Sequence, residues 1–149
     1  MAFDVDRVRD GLPALRDRLD ARAAGVWQVE GDRLALVAFD GADDLAPGAG
    51  DGFARAAASV PLDRPDFSIV AAVRTGRIND WHAADLPADA GSGYWLRAFP
   101  AARSVAVPIF GPGGVAVGVV SVATRGPEPP AAEVERAVTA EAEGWLAIG

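Results

Sequence analysis

The residue types open to chemistry in this 149-residue chain are few: one histidine, four tryptophans, six phenylalanines, one tyrosine and no cysteine. Without cysteine there is no thiolate nucleophile, no disulfide and no thiolate-bound metal. His82 is the one imidazole. It could ligate haem or a metal, but it lacks the partner ligands such a site needs. Its other reading is a loop side chain near Asp80 and Asp85. No paired carboxylates, Ser-His-Asp set or phosphate loop can be assembled. Gly111-Pro112-Gly113-Gly114 joins two strands and opens no helix, so it offers no amide array to a phosphate. Asp40, Asp43, Asp44 and Asp51 read as a solvated loop. The expectation is a domain that is not an enzyme and carries no cofactor and no metal.

Binding is the chemistry left. Trp27, Trp81, Tyr94, Trp95 and Phe99 could wall a pocket for a flat molecule, or could simply fill the core. Arg103, just before an apolar strand, could clamp a ligand carboxylate, or pair with Asp80 or Asp85. Ser121 interrupts an apolar run, and offers either a hydroxyl to a ligand or a small packing residue.

The elements that must position these residues follow from periodicity. Val5, Val8, Leu12, Leu15 and Leu19 recur at helical spacing across residues 4–24, with Pro13 as a kink and Gly25 as the stop. Strands are expected over 26–30 and 33–39, joined at Gly31-Asp32 as a hairpin. A loop over 42–52 precedes short helices over 53–60 and 67–75, the second ended by Gly76. A short strand spans 77–81, an irregular stretch 82–92, and one or two helical turns 94–99. Strong strands over 104–110 and 115–124 form a second hairpin, and a helix over 133–146 closes the chain. The order describes an α+β domain: an antiparallel sheet with terminal helices on one face and short helices and loops over the other.

The formal net charge of −7 and pI near 4.6 argue against nucleic acid and anionic lipid as partners. The first residues are charged and do not form a signal peptide. No apolar run approaches the ~20 residues of a membrane span. A soluble, cytoplasmic domain is expected.

Ala102-Arg103-Ser104-Val105-Ala106-Val107-Pro108-Ile109, a Gly-rich turn and Val117-Gly118-Val119-Val120-Ser121-Val122 resemble the C-terminal signature of GAF domains. Ala24-Gly25-Val26-Trp27-Gln28-Val29 with Leu34-Ala35-Leu36 is similar to the first GAF hairpin, and Gly76-Arg77-Ile78-Asn79-Asp80 to the short third strand. The resemblance covers nearly the whole chain and implies one domain over 1–149. Within it, 1–24 would be the first helix, 25–127 the sheet and pocket region, and 128–149 the last helix. It also implies a small-molecule pocket on the sheet face away from the terminal helices. Family members sense cyclic nucleotides, bilins, haem, amino acids or aromatic compounds, and others serve as dimerisation modules. Bilin attachment and free methionine sulfoxide reduction in this family need cysteine, and the cyclic-nucleotide signature needs a lysine that this chain lacks.

With the middle segment over that face, the expected ligand-binding set is Trp81, Trp95, Phe99, Arg103, Val105, Val107 and Ser121. The expected function is a non-enzymatic signalling sensor for a small apolar or aromatic molecule. The alternative is a ligand-free dimerisation scaffold. The stripe Val5, Val8, Leu12 and Leu15 would form a homodimer interface, its part before Pro13, Val5, Val8 and Leu12, overhanging the sheet.

Overall fold

The computed structural model describes residues 2–147. Among them, six antiparallel strands form one sheet with five α-helices around it. Helix α1 (Val5–Arg18) leads into β1 (Ala21–Glu30) and β2 (Arg33–Gly41). Then come α2 (Ala49–Ala56), β3 (Ser59–Pro61), α3 (Ser68–Thr75), β4 (Asn79–His82) and α4 (Gly91–Ala98). Strands β5 (Arg103–Phe110) and β6 (Ala116–Thr124) and helix α5 (Ala131–Ala142) complete the chain. The strand order is β3-β2-β1-β6-β5-β4, so the two hairpins meet at β1 and β6 in the centre. No helix of the described residues is long and apolar enough to cross a membrane.

Helices α1 and α5 cover one face. Their apolar residues Val8, Leu12, Leu15, Val134 and Val138 are buried with Val26, Val105, Val107, Val120 and Val122 of the sheet. Gly11 permits the close approach of the two helices: a Cβ there would lie 2.6 Å from a carboxylate oxygen of Glu141 and 2.8 Å from the indole nitrogen of Trp145. The chain ends are stitched by a bridge between Phe3 and Leu146 and by the Asp4 amide donating to the Trp145 carbonyl. On the other face, α2, α3 and α4 lie over a second apolar layer that includes Trp27, Ile69, Val70, Leu96 and Phe99.

Several boundaries differ from expectation. Helix α1 runs through Pro13 but ends at Arg18, and the chain reverses at Asp20, whose φ is 49°. Residues 21–24 are helix-prone by composition, yet Ala23 and Ala24 pair with Gly41 and Asp40 on one side and with Ala123 and Val122 on the other. Two ladders outweigh a propensity difference of less than ~1 kcal/mol per residue. Gly25 therefore sits inside β1 and ends no helix. The expected helix over 53–60 is shared between α2 and β3, because Val60 pairs with Leu34 and is buried. The last helix stops at Ala142, where the next residues turn to meet the N-terminus.

The proposed dimer stripe is corrected as well. Val8, Leu12 and Leu15 are between 0% and 2% exposed, covered by this chain's own sheet and α5, whereas Val5 is 42% exposed. Asp4 caps α1 by accepting from the Arg7 amide, so the helix starts over the sheet and does not overhang it. Leu12→Ala should therefore cost about 2–5 kcal/mol of unfolding free energy, and Val5→Ala no more than about 0.5 kcal/mol. Urea titration of the two variants checks this, and equal losses would remove Leu12 from the core.

Candidate functional site

The register of β5 against β6 decides which side chains face the short helices. Val105 pairs with Val122, Ala106 with Ser121 and Val107 with Val120. Paired residues share a face and alternate along each strand. Ser104, Ala106, Ser121 and Ala123 thus face α2–α4 with little side-chain bulk, while the valines between them face α1 and α5.

A cavity of about 40 Å³ lies above those small residues. Its walls are the rings of Trp27, Phe53, Phe67, Trp95 and Phe99, with Ile69 and Leu96. Its floor is a strip of hydroxyls. Ser68 Oγ lies 2.9 Å from Ser104 Oγ, which lies 3.2 Å from Ser121 Oγ. Ser92 Oγ accepts from the Ser68 amide at 2.9 Å. A second space of about 30 Å³ lies alongside and extends to Phe39 and Gly25, and the two share Trp27, Phe53, Phe99, Ser121 and Ala123 as common walls.

Local sequence explains how each wall is held. At Trp27 the β1–β2 register shifts, and the indole folds back over Gly25, where a Cβ would lie 2.6 Å from the ring. The indole N–H donates to the Ala57 carbonyl at 2.8 Å, just past the end of α2. Helix α4 begins at Gly91, whose φ of 57° and contact with the Asp66 backbone leave no room for a side chain. The Ser92 amide then donates to the Asp66 carbonyl at 2.8 Å, which seats α4 against the start of α3. Beyond α4, Arg22 is 4% exposed, and its Nε donates to the Phe99 carbonyl at 2.8 Å. Its Nη1 donates to Asp44, so one guanidinium ties the end of α4 to the loop before α2.

No charged side chain lines the cavity. Each of the three hydroxyls Ser68, Ser104 and Ser121 has one proton, and the two contacts between them use two of the three protons. The chain of hydroxyls can run either way, so Ser121 can present either a donor or an acceptor to a guest.

Of the expected ligand set, the structure brings together Trp95, Phe99 and Ser121. Val105 and Val107 are corrected to the opposite face, where they pack with Val134 and Val138, because each strand's alternation is offset by one residue from the expected pairing with Ser121. Arg103 does not line the cavity. It is 2% exposed, its Nε lies 3.1 Å from Thr124 Oγ1 and 3.7 Å from Asp80, and its Nη1 and Nη2 donate to the carbonyls of Pro127 and Pro129. It pins the segment ahead of α5. Trp81 is half-buried on the edge strand β4 and also outside the lining. His82 is largely exposed, 3.5 Å from Asp80, and no group of three or more potential metal-ligating side chains occurs among the described residues. Sequence reasoning missed Phe53, Phe67, Ser68, Ser92 and Ser104. The usable signal was the alternation of small with branched residues in Ser104-Val105-Ala106-Val107 and Val120-Ser121-Val122-Ala123, which marks the roomy face of the sheet.

The architecture is a six-stranded antiparallel sheet between terminal helices and a short-helix roof. It superposes on known GAF domains. This chain has a GAF-like fold. Its TM-score is 0.62 against the GAF domain/HD domain protein from Geobacter sulfurreducens, at 17% identity over 94% of this chain and 90% of that one. It is also 0.62 against the GAF domain of a two-component sensor histidine kinase from Bacillus halodurans, at 13% identity over 92% and 94%. A type II free methionine-R-sulfoxide reductase from Thermoplasma acidophilum gives 0.64, at 16% identity over 93% and 89%. No protein-family model matches the sequence, and no curated protein sequence matches it significantly.

The third likeness corrects the expectation that the domain is not an enzyme. Enzymes are among the structures most similar to this GAF-like chain, so the architecture carries catalysis as well as sensing.

The Arg22 hydrogen bond holds the exposed Asp44 carboxyl below its ordinary value of 3.8. A carboxyl depressed in the folded state adds stability above its unfolded pKa and loses it as pH falls through the folded pKa. Asp44→Asn should therefore lower Tm at neutral pH, and the gap to the native chain should narrow as pH falls below the ordinary value of 3.8. Melting curves from pH 7 to pH 2 check this, and a gap that stays constant would show that Asp44 acts without its charge.

Proposed function

We propose that this GAF-like domain is a signalling or regulatory sensor that binds a small, apolar or aromatic molecule in the cavity beneath α2, α3 and α4. The observation that carries the reading is the pairing of an aromatic wall with uncharged hydroxyls in one space. Burying a charged guest there would leave its charge without a partner at a cost of several kcal/mol, whereas a neutral guest gains from apolar burial. The Ser104–Ser121 hydroxyls supply direction to one polar substituent. The likeness to a GAF domain from a sensor kinase supports a regulatory role.

Helix α3 packs closely on the sheet through Ile69, Val70 and Ala72, whereas α2 has no fully buried residue and is the movable part of the roof. Hydrogen bonds tie Trp27 of β1 to Ala57 after α2, Ser68 of α3 to Ser104 of β5, and Ser92 of α4 to Ser68. A guest that changes the contacts between roof and floor moves these elements, which is a change that an attached partner can read.

A thermal-shift screen against neutral aromatic and aliphatic metabolites tests the reading. A ligand at a hundredfold over its Kd should stabilise the folded chain by about 2.7 kcal/mol. Ser121→Phe, which fills the floor, should abolish the shift while the chain remains folded by circular dichroism. A hit that survives Ser121→Phe unchanged binds elsewhere and defeats the assignment.

A further inference from the structure

Four aromatic rings surround the side chain of Phe53. The centroid of Phe53 lies 5.9 Å from Trp27 and 5.2 Å from Phe39. Trp95 and Phe99 stand at 5.3 Å each, and the rings of Trp27, Trp95 and Phe99 meet Phe53 close to edge-on, at 89°, 77° and 72°. These are favourable aromatic geometries. Phe53 is also a wall common to the two spaces of about 40 and 30 Å³. Even together these fall well short of the ~150 Å³ that accepts a benzene ring. The ring-shaped volume at this site is therefore taken, and its occupant is Phe53.

The helix that carries Phe53 is the weakest in the roof. No residue of α2 is fully buried, and its N-cap is Gly48, which supplies no side-chain acceptor. Gly50 and Gly52 sit inside it, each costing about 1 kcal/mol relative to alanine. Its C-terminal end is held by the Trp27 indole at Ala57. The helix is thus fixed at one end, weak along its length, and attached to the core through the Phe53 ring and the small Ala49 side chain.

We propose that the ligand is a neutral, single-ring aromatic molecule bearing one hydrogen-bonding substituent, and that it binds by taking the place of the Phe53 ring. The proposal rests on the cavity being the binding site. The guest ring replaces Phe53 between Trp27, Phe39, Trp95 and Phe99, its substituent reaches Ser121, and α2 swings outward about Ala57. In the empty protein Phe53 acts as an internal stand-in that lowers the apparent affinity, because the competent state is only partly populated.

The test uses benzyl alcohol and benzoate with the native chain and with Phe53→Ala, followed by tryptophan fluorescence and Tm. Benzyl alcohol should bind Phe53→Ala at least tenfold more tightly than the native chain, and benzoate should bind neither. Tryptic cleavage after the exposed Arg55 of α2 should quicken in the native chain as benzyl alcohol saturates it. If Phe53→Ala does not fold, Phe53→Val is compared in the same way, with a smaller gain in the same direction. Equal affinity for native and variant, or cleavage that slows on binding, overturns the exchange and leaves the cavity assignment standing. A folded variant that binds no benzyl alcohol also overturns it. The cavity assignment itself then stands or falls on whether a screened metabolite shifts the native chain but not Ser121→Phe.

Discussion

The pairing register of β5 with β6 is the constraint on which both faces of this domain depend. Side chains alternate with a period of two, so a slip of one residue would exchange every side chain between the faces. In the register observed, Val105, Val107, Val120 and Val122 meet α1 and α5, and Ser104, Ala106, Ser121 and Ala123 meet the roof. The branched residues build the layer that stabilises the fold. The small ones leave the space that a guest needs. A slipped register would bury hydroxyls under α5 and fill the cavity with valines.

That division has an energetic cost confined to one side. The terminal-helix face buries Val8, Leu12, Leu15, Val134 and Val138 almost completely, and these side chains each contribute about 1.5–3 kcal/mol of burial. The roof face carries cavities, glycines and single hydrogen bonds. A void forfeits contacts for the atoms that line it. The close packing beneath α1 and α5 and of α3 on the sheet offsets that loss, so α2 can remain loosely attached without unfolding the sheet. The same asymmetry places α2, the helix with no fully buried residue, over the cavity.

Much of this was legible in the sequence, and the parts that were not share physical causes. The two hairpins, α3 with its Gly76 terminator and the alternation in β5 and β6 all follow from local pattern. The end of α1 did not, because Ala21-Arg22-Ala23-Ala24 becomes strand only when β2 and β6 are present to pair with it. Strand β3 is three residues long and owes its existence to Leu34. At the site, Trp95, Phe99 and Ser121 were recognisable as aromatic or out-of-pattern residues. Phe53 was not, since nothing local distinguishes a phenylalanine on a glycine-containing helix from an ordinary core residue. Its significance lies in four rings brought from β1, β2, α4 and the residue after α4. Arg103 shows the converse. Its type and position suited a ligand clamp, yet its hydrogen bonds go to Thr124, Pro127 and Pro129, at the end of β6 and beyond it.

Fold likeness joins this chain to a methionine-R-sulfoxide reductase as readily as to a GAF domain of a sensor kinase, so architecture does not select the chemistry. The side chains at the cavity must do so. A site that handles an anion or a strongly polar substrate needs a counter-charge or several fixed donors, and the residues here present neither. The buried guanidinium nearest in sequence to the floor, Arg103, is turned away and saturated by other partners. Arg22 is likewise committed to Phe99 and Asp44. Both arginines spend their donors holding the cavity's frame, which leaves the interior to rings and hydroxyls. Under the proposed function, discrimination rests on the cost of desolvating a charge and on the shape left between rings, two effects that favour flat, neutral molecules before any specific contact is made.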